Sequence, residues 1–295
     1  MKIFQASLFL RVLKRYAALF PDDPLDVLLS LAYNQAERKG FLIDYRHMID
    51  EIIGDSGAWS FAQGKSDLTI EELIAVLKVC GNLFTRYFNF DTDFRDKGFE
   101  NNISNQIIME KAGLSPVPVI HNFFDNEIEY YVKSGKYKWV ALGSSQSTNF
   151  DDIRYAVDRI STWGDSSMRI HWFGGSKFDW LAKLPIAACD TSSWAKAGQF
   201  GCIRYWNPHE EKFNKTHNIF ISGRVRIFED DEYHFVTYPW RQDVEEYLHQ
   251  NFSLTYSDLC GYDGKFYMQL VNTRFYVELA KRINKERKKG GIPTE

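Results

Sequence analysis

The chain has few of the features that are typical of secreted proteins or of proteins stabilised by a bound metal. It has 295 residues but only four cysteines, Cys80, Cys189, Cys202 and Cys260, and none forms a CxxC or CxC pair with another. Disulfide frameworks and structural zinc sites need closely spaced cysteines, so the spacing predicts reduced thiols in a reducing compartment and no metal site.

Long hydrophobic runs are also absent. The apolar stretch 3–10 is followed by Arg11 and Lys14, and the longest apolar run, 25–33, contains Asp26. A signal peptide has a longer apolar region with a cleavage site, and a membrane span needs about 20 apolar residues. We therefore expect a cytoplasmic protein with no membrane partner.

The chain has no excess of one charge and no glycine-rich phosphate loop. Lys and Arg number 36 against 39 Asp and Glu, a net charge of −3, and neither GxGxxG nor GxxxxGK[ST] occurs. Any nucleic-acid binding must then come from a local basic face, and nothing supports a dinucleotide-binding or Walker-type open sheet. With 44% hydrophobic residues, the chain can bury a core of its own.

Short apolar runs alternate with helical patterns along most of the chain. Thr69 and Glu72 form a capping box before one helix, and another spans 100–111 with Ile103 and Ile107 facing the core. Eight runs of strand length are present: 27–31, 51–54, 86–90, 117–121, 139–142, 168–173, 186–189 and 202–206. The alternation predicts an α/β fold, a (β/α)8 TIM-type barrel with a parallel sheet inside and helices outside. An open doubly wound sheet is the alternative.

The pattern changes after the eighth run. Residues 219–228 and 233–238 are typical of an antiparallel hairpin, and helices follow as far as the basic segment 281–289. We therefore expect a barrel domain over 1–206 and a C-terminal α+β appendage over 207–295, which is a possible nucleic-acid contact.

Four ionisable side chains stand where predicted strands end: Asp55, Asp91, His121 and Asp190. Loops from all strands of a barrel converge at this end, so these groups are expected to share one mouth. Two carboxylates at one anomeric carbon can act as nucleophile and proton carrier, which fits either sugar hydrolysis or base exchange, and a third can accept hydrogen bonds from a guanine-like base. Helix capping by each aspartate, and a hydrogen-bonded pocket wall for His121, are the alternatives.

Five segments at these strand ends resemble the tRNA-guanine transglycosylase superfamily, most closely its shorter bacterial and phage members that place 7-deazaguanines into DNA. They are 55–60 (DSGAWS), 89–91 (NFD), 118–121 (PVIH), 140–143 (VALG) and 189–194 (CDTSSW), in the family's order. The resemblance implies that Asp190 is the nucleophile at C1′ of the target guanosine. It implies that Asp55 is the general acid and base.

The same resemblance assigns contacts to the base and to the nucleic acid. Asp91 would bind the N–H edge of the base, Gly143 would let backbone amides approach it, and His121 occupies the place of a glutamine in the tRNA enzymes. Ser56 and Gly57 belong to the same base site. Nucleic-acid contacts are expected from Trp59, Trp194, Lys196, Arg204, Arg224, Arg226 and 281–289; rim packing is the alternative for the tryptophans, and simple solvation for the basic helix.

The resemblance has departures that bear on the substrate. The three cysteines and one histidine that hold zinc in the tRNA enzymes are missing, and the chain has no length for an appended RNA-binding domain. We therefore expect guanine exchange on DNA with a free 7-deazaguanine as the second substrate and no cofactor. A partner protein could open the duplex. Exchange on tRNA and a non-catalytic nucleic-acid-binding subunit remain alternatives.

Overall fold

The computed structural model describes residues 1–32, 35–62, 64, 66–95, 98–143, 149–221 and 231–294. Its strands are β1 Lys2–Ala6, β2 Leu25–Ser30, β3 Ile49–Asp55, β4 Arg86–Tyr87, β5 Val119–Ile120, β6 Trp139–Leu142, β7 Arg169–Trp172, β8 Ala188–Thr191, β9 Cys202–Trp206, β10 Thr216–Phe220 and β11 Glu232–His234. Its helices are α1 Leu10–Leu19, α2 Gln35–Lys39, α3 Ala58–Ala62, α4 Ile70–Cys80, α5 Phe99–Lys111, α6 Glu127–Lys133, α7 Phe150–Trp163, α8 Phe178–Leu181, α9 Ser193–Gln199, α10 Arg241–Phe252, α11 Tyr256–Cys260 and α12 Gly264–Lys289.

Strands β1 to β8 form one curled parallel sheet in the order β4-β3-β2-β1-β8-β7-β6-β5. Helices flank it, so the α/β class is confirmed. The two edge strands also meet: the amide of Asn89 donates to the carbonyl of Val117 at 2.9 Å, and the amide of Val117 donates to the carbonyl of Tyr87 at 2.8 Å. The curled sheet is therefore compatible with a TIM-type barrel.

A second cluster of buried residues fills the inside of the curl, apart from the larger core between sheet and helices. Side chains alternate between the two sides of a strand, so Phe4, Leu28 and Ile53 share the inner side with the strand-end residue Asp55. Below this cluster, Lys2 forms ion pairs with Asp26, Asp50 and Glu51. The inner side therefore runs from an ionic base through an apolar middle to a polar mouth.

The prediction of the large sheet misses one strand and misplaces another. The first strand, Lys2–Ala6, was not predicted, and Cys202–Trp206 is a strand, as predicted, but lies outside the eight-stranded sheet. Residues Lys2 to Gln5 pair in register with Ala188 to Thr191, so the position beside β8 is already occupied. The run 202–206 instead pairs antiparallel with β10 in a separate three-stranded sheet.

The expected antiparallel hairpin is also wrong. Strand β10 pairs with β11 in parallel, with Asn218 opposite Glu232 and Phe220 opposite His234. A tight turn between the two strands would give an antiparallel pair, which the parallel register of β10 and β11 excludes. Residues 222–230, which contain most of the predicted turn, lie outside the described part of the chain.

Helix α4 begins as the sequence predicts, whereas in α5 Ile103 packs against the core as predicted but Ile107 does not. Thr69 and Glu72 form the capping box of α4, with Thr69 Oγ1 accepting from the Glu72 amide. In α5 the buried residues include Asn102 and Gln106, and the side chain of Ile107 is 37% exposed. The polar residues are buried because they hold neighbouring loops: Asn102 Nδ2 donates to the carbonyl of Asp93 at 2.8 Å.

Helix α12 packs against α9, β9, α1 and β1, so contacts cross the predicted boundary at residue 206. Its Arg287 is fully buried and donates from Nε to the carbonyl of Leu181 at 2.7 Å and from Nη1 to that of Ile186 at 2.8 Å. Asn284 Nδ2 donates to the carbonyl of Met1 at 3.0 Å. The end of the chain is thereby attached to β1 and to the segment before β8.

The four cysteines are free thiols, as predicted. Within the described ranges, none of the helices combines the length and the apolar character that crossing a membrane requires.

Candidate active site

A cavity of about 680 Å³ opens at the carboxyl end of the curled sheet. Loops that follow several parallel strands meet there, which is the end where barrels and α/β sheets place their sites. Its walls combine acidic, hydroxyl and aromatic side chains with glycine backbone. The lining includes Ala6, Ser7, Leu28, Ser30, Ala32, Asp55, Ala58, Ser60, Ser66, Asp91, Phe94, His121, Gly143, Phe173, Gly174, Asp190, Ser192 and Lys196.

Asp190 stands within β8 and faces the cavity. Only 8% of its surface is exposed. Its Oδ1 accepts a hydrogen bond from the amide of Gly174 at 3.1 Å and lies 3.2 Å from Nε2 of His171. These two contacts hold Oδ1 against the pocket wall and so fix the orientation of the carboxyl group.

Asp55 is the last residue of β3, which β2 and β1 separate from β8 in the sheet. In the register of the sheet it pairs with Ser30 of β2. Burial raises the pKa of its carboxyl group to about 7, and the charges of Asp91 and Asp190 add to the increase. Hydrogen bonds from the Gly57 amide and the Ser30 side chain oppose it. Asp55 can therefore exchange a proton near neutral pH, whereas an ordinary aspartate would stay ionised.

Asp91 and His121 form a close pair on the third side of the cavity. Oδ2 of Asp91 lies 2.7 Å from Nε2 of His121. Burial alone lowers the pKa of His121, but the hydrogen bond and charge of Asp91 outweigh it, so the pKa lies above its usual value. Gly143 follows β6, and a Cβ there would lie only 2.3 Å from Nδ1 of His121.

Most of the predicted site residues meet in this cavity: Asp55, Asp91, His121, Gly143, Asp190 and Lys196 all line it. Ser56 and Gly57 lie behind it. Ser56 is buried and its Oγ accepts from the amide of Ala58 at 3.3 Å. Gly57 has φ +83°, and a Cβ at this position would lie 2.8 Å from the Cβ of Ala32. Their turn therefore holds Asp55 in place.

One of the predicted nucleic-acid contacts is wrong, and the one at Arg204, which is half-buried, stays a prediction. Trp194 is fully buried and donates from Nε1 to the carbonyl of Ala6 at 2.9 Å, so its ring is not available for stacking on a base. Arg204 lies on β9, away from the cavity lining, with its guanidinium over the ring of Tyr276 at 5.4 Å.

The remaining basic and aromatic predictions divide into two groups. The side chain of Trp59, and both Arg224 and Arg226, lie outside the described residues. The segment 281–289 on α12 is only partly open to solvent: Arg287 is buried, and Lys289 pairs with Glu286 at 2.7 Å.

Sequence reasoning missed His171, Ser30 and the amide of Gly174, which contact the two central carboxylates. Phe94, whose ring meets that of His121 edge-on at 4.9 Å, was also missed. No local signal could have found His171, because the residue that it contacts lies on the neighbouring strand β8. Among the described residues, no group of three His, Cys, Asp or Glu is arranged to hold a metal ion.

Comparison with models of known protein families and with characterised proteins gave no match. The chemistry of the site must therefore be argued from the cavity itself.

Proposed function

We propose that the protein is a guanine transglycosylase that exchanges guanine in DNA for a 7-deazaguanine. The observation that carries the proposal is the pairing of two unlike carboxyl groups in one cavity. Asp190 is held by N–H donors, and the pKa of Asp55 is raised to about 7 by burial and by the charges of Asp91 and Asp190. A carboxyl group held in a fixed orientation suits a nucleophile, and one that exchanges a proton near neutral pH suits a proton carrier.

The exchange would proceed in two displacements at C1′ of the target nucleotide. Asp190 attacks C1′, the C1′–N9 bond breaks with its electron pair going to guanine, and protonated Asp55 gives that guanine a proton. The incoming base then returns a proton from its N9 to Asp55 and attacks C1′. This breaks the bond from C1′ to Asp190 and restores the carboxylate, so configuration at C1′ is retained.

Asp91, His121 and Gly143 would hold the base beside this centre. Asp91 and His121 both line the cavity, and a carboxylate and an imidazole there would offer an acceptor and a donor to the N–H groups and the carbonyl of a guanine-like ring. Gly143 lets the His121 ring lie close to the backbone, because a Cβ there would come within 2.3 Å of Nδ1. The cavity of about 680 Å³ is large enough for a base and its sugar.

DNA is the proposed polymer because the five strand-end segments most closely resemble the superfamily members that place 7-deazaguanines into DNA. The target guanosine must leave the helical stack to reach a cavity at the end of a sheet, which costs a few kcal/mol in a duplex. Single-stranded sites are therefore the better substrates. Lys196, exposed at the rim, is the side chain we assign to a flanking phosphate.

Release of labelled guanine tests the proposal. Purified protein is incubated with single-stranded DNA, duplex DNA or tRNA carrying labelled guanine, with excess 7-cyano- or 7-formyl-7-deazaguanine. We expect release from DNA by the wild type, no release by Asp190→Asn, and full release by Asp22→Asn, an exposed aspartate before the amino end of β2 and outside the cavity lining.

Each other outcome points to a different function. Release from tRNA alone would replace DNA with tRNA as the substrate. Retention of DNA without release from any polymer would favour a non-catalytic binding subunit. Normal release by Asp190→Asn would remove the nucleophile on which the mechanism depends.

A further inference from the structure

We propose that His171 is a positioning residue for Asp190: its neutral imidazole holds one carboxylate oxygen, so that the other is presented to C1′. This inference rests on the proposed function and deepens it. His171 lies on β7, the neighbour of β8 in the sheet, and the sequence patterns described above do not single it out.

The contact between the two side chains is direct and secluded. Nε2 of His171 lies 3.2 Å from Oδ1 of Asp190, and His171 has no exposed surface. The rings of Phe88 and Phe173 lie 4.9 and 4.8 Å from the imidazole. Phe4 is the next ring, at 6.2 Å.

This environment decides the protonation state of the imidazole. Burial lowers the pKa of His171, and the more distant charge of Arg86 lowers it further, against the raising effect of Asp190. A neutral imidazole has one N–H, and Asp190 is an acceptor, so the proton is assigned to Nε2. In the described part of the chain Nδ1 has no hydrogen-bond partner, as expected for the nitrogen without a proton.

The buried Nδ1, which has no hydrogen-bond partner in the described residues, makes histidine an unfavourable choice for packing alone at this position. An apolar side chain of similar size would pack among the phenylalanine rings without burying an unsatisfied nitrogen, which costs stability. The one polar contact that the imidazole makes in the described residues is with Asp190. We therefore infer that the role of His171 is to contact Asp190.

The contact has a chemical consequence in both displacements. Oδ1 receives the Nε2–H of His171 and the amide of Gly174. Oδ2 is left to form the bond to C1′. In the resulting ester, Oδ1 is the carbonyl oxygen and still accepts both donors. When the second displacement breaks the bond from Oδ2 to C1′, the electron pair returns to a carboxylate that these donors already stabilise.

Two variants separate this role from packing. His171→Leu fills the site with an apolar side chain of similar size but removes the hydrogen-bond donor. His171→Gln keeps an N–H near the position of Nε2. In a single-turnover exchange assay on labelled DNA, we expect His171→Leu to slow both formation and decay of the covalent DNA adduct roughly 10²-fold, the size of effect seen when one preorganised donor is removed. KM for the free base should not change, and His171→Gln should recover most of the rate.

A second measurement needs no activity. In protein labelled with ¹⁵N-histidine, the His171 signals should be those of a neutral Nε2–H tautomer, and Asp190→Ala should shift the Nε2–H resonance. Thermal unfolding of each variant checks that it is folded.

The outcomes distinguish this inference from the function on which it rests. Exchange by the wild type together with a full rate in folded His171→Leu would overturn the role of His171 alone, as would an Nδ1–H tautomer or an imidazolium. No exchange by the wild type would overturn the proposed function and the catalytic use of the contact with it, whatever the tautomer.

Discussion

Nε2 of His121 lies 2.7 Å from Oδ2 of Asp91 although the two residues follow different strands of the curled sheet. Two hydrogen bonds fix the backbone at each partner. Asn105 Nδ2 donates to the carbonyl of Phe90, next to Asp91, at 2.7 Å, and the amide of His121 donates to the side chain of Glu127 at 2.7 Å. Side chains of two helices thus fix the two ends of the pair, which is how a site on loops attains a defined geometry.

The protonation of His121 should depend on Asp91. With Asp91 in place, its hydrogen bond and charge outweigh burial and raise the pKa of His121; in Asp91→Asn, burial dominates and the pKa should fall below the usual value. Histidine ¹⁵N–¹H spectra recorded against pH measure both values. The exposed His47 provides the control, since its signals should be the same in both proteins. A His121 titration that does not move would contradict the pairing.

Gly143→Ala should displace the His121 ring. The new Cβ would lie 2.3 Å from Nδ1, closer than real Cβ contacts come, so the imidazole must move away from Asp91. We expect KM for the free base to rise by at least about 10-fold, the loss of roughly one hydrogen bond. Gly81→Ala is the matched control, because its Cβ would meet ordinary contacts, the nearest at 3.5 Å. Equal KM values for the two variants would exclude His121 from the base site.

The two central carboxylates were predictable from sequence, whereas the group that holds one of them was not. Asp55 and Asp190 end apolar runs, and parallel strands bring such ends together. His171 lies within an apolar strand, where a single histidine is typical of a core position. Its importance depends on the neighbouring strand β8, which no local pattern records.

The errors in the fold have a similar origin. The segment Lys2–Ala6 begins with a charge that the sequence analysis did not match to partners 24 to 49 residues away, namely Asp26, Asp50 and Glu51. The run Cys202–Trp206 has the composition of a sheet strand, and only the occupied edge of β8 excludes it from the large sheet. Both depend on distant pairing, whereas the capping box at Thr69 is local and was predicted.

Because its pKa is raised, Asp55 should make the free energy of unfolding fall as pH rises from 3.8 to about 7. Burial and the charges of Asp91 and Asp190 raise its pKa from 3.8 to about 7, so the folded protein holds this proton more tightly than the unfolded chain. Stability from this group is then complete below pH 3.8 and is lost progressively up to about pH 7. Asp55→Asn should be more stable than the wild type at pH 8, by about 2 to 3 kcal/mol when the water in the cavity is allowed for.

Urea unfolding at pH 4 and pH 8 measures this difference. The comparison of the variant with the wild type isolates Asp55 from other buried carboxyl groups such as Asp26, whose pKa is also raised by burial. A stability difference independent of pH would contradict the raised pKa. The same variant should have no exchange activity at either pH.

Substitution of Trp194 should affect only the stability of the protein, and substitution of Lys196 should affect only its DNA binding. Trp194→Phe removes the hydrogen bond to the Ala6 carbonyl and should lower the free energy of unfolding by about 1 to 3 kcal/mol without changing DNA affinity. Lys196→Met should leave stability unchanged, weaken DNA binding and reduce the salt dependence by about one phosphate contact. Fluorescence anisotropy at several salt concentrations and urea unfolding give the four values. Weaker DNA binding in folded Trp194→Phe would show that the indole does reach the nucleic acid.

Arg287 should be required for the stability of the whole molecule. It is fully buried and donates to the carbonyls of Leu181 and Ile186, so it joins α12 to the segment that leads into β8 and Asp190. Arg287→Met keeps the apolar part of the side chain but leaves both carbonyls without this donor, and should lower the free energy of unfolding by at least about 3 kcal/mol. Lys288→Met, at the exposed neighbouring position, should change it by less than about 0.5 kcal/mol. A single cooperative transition with this loss would show that residues on both sides of 206 unfold together, and two separate transitions would restore the boundary expected there.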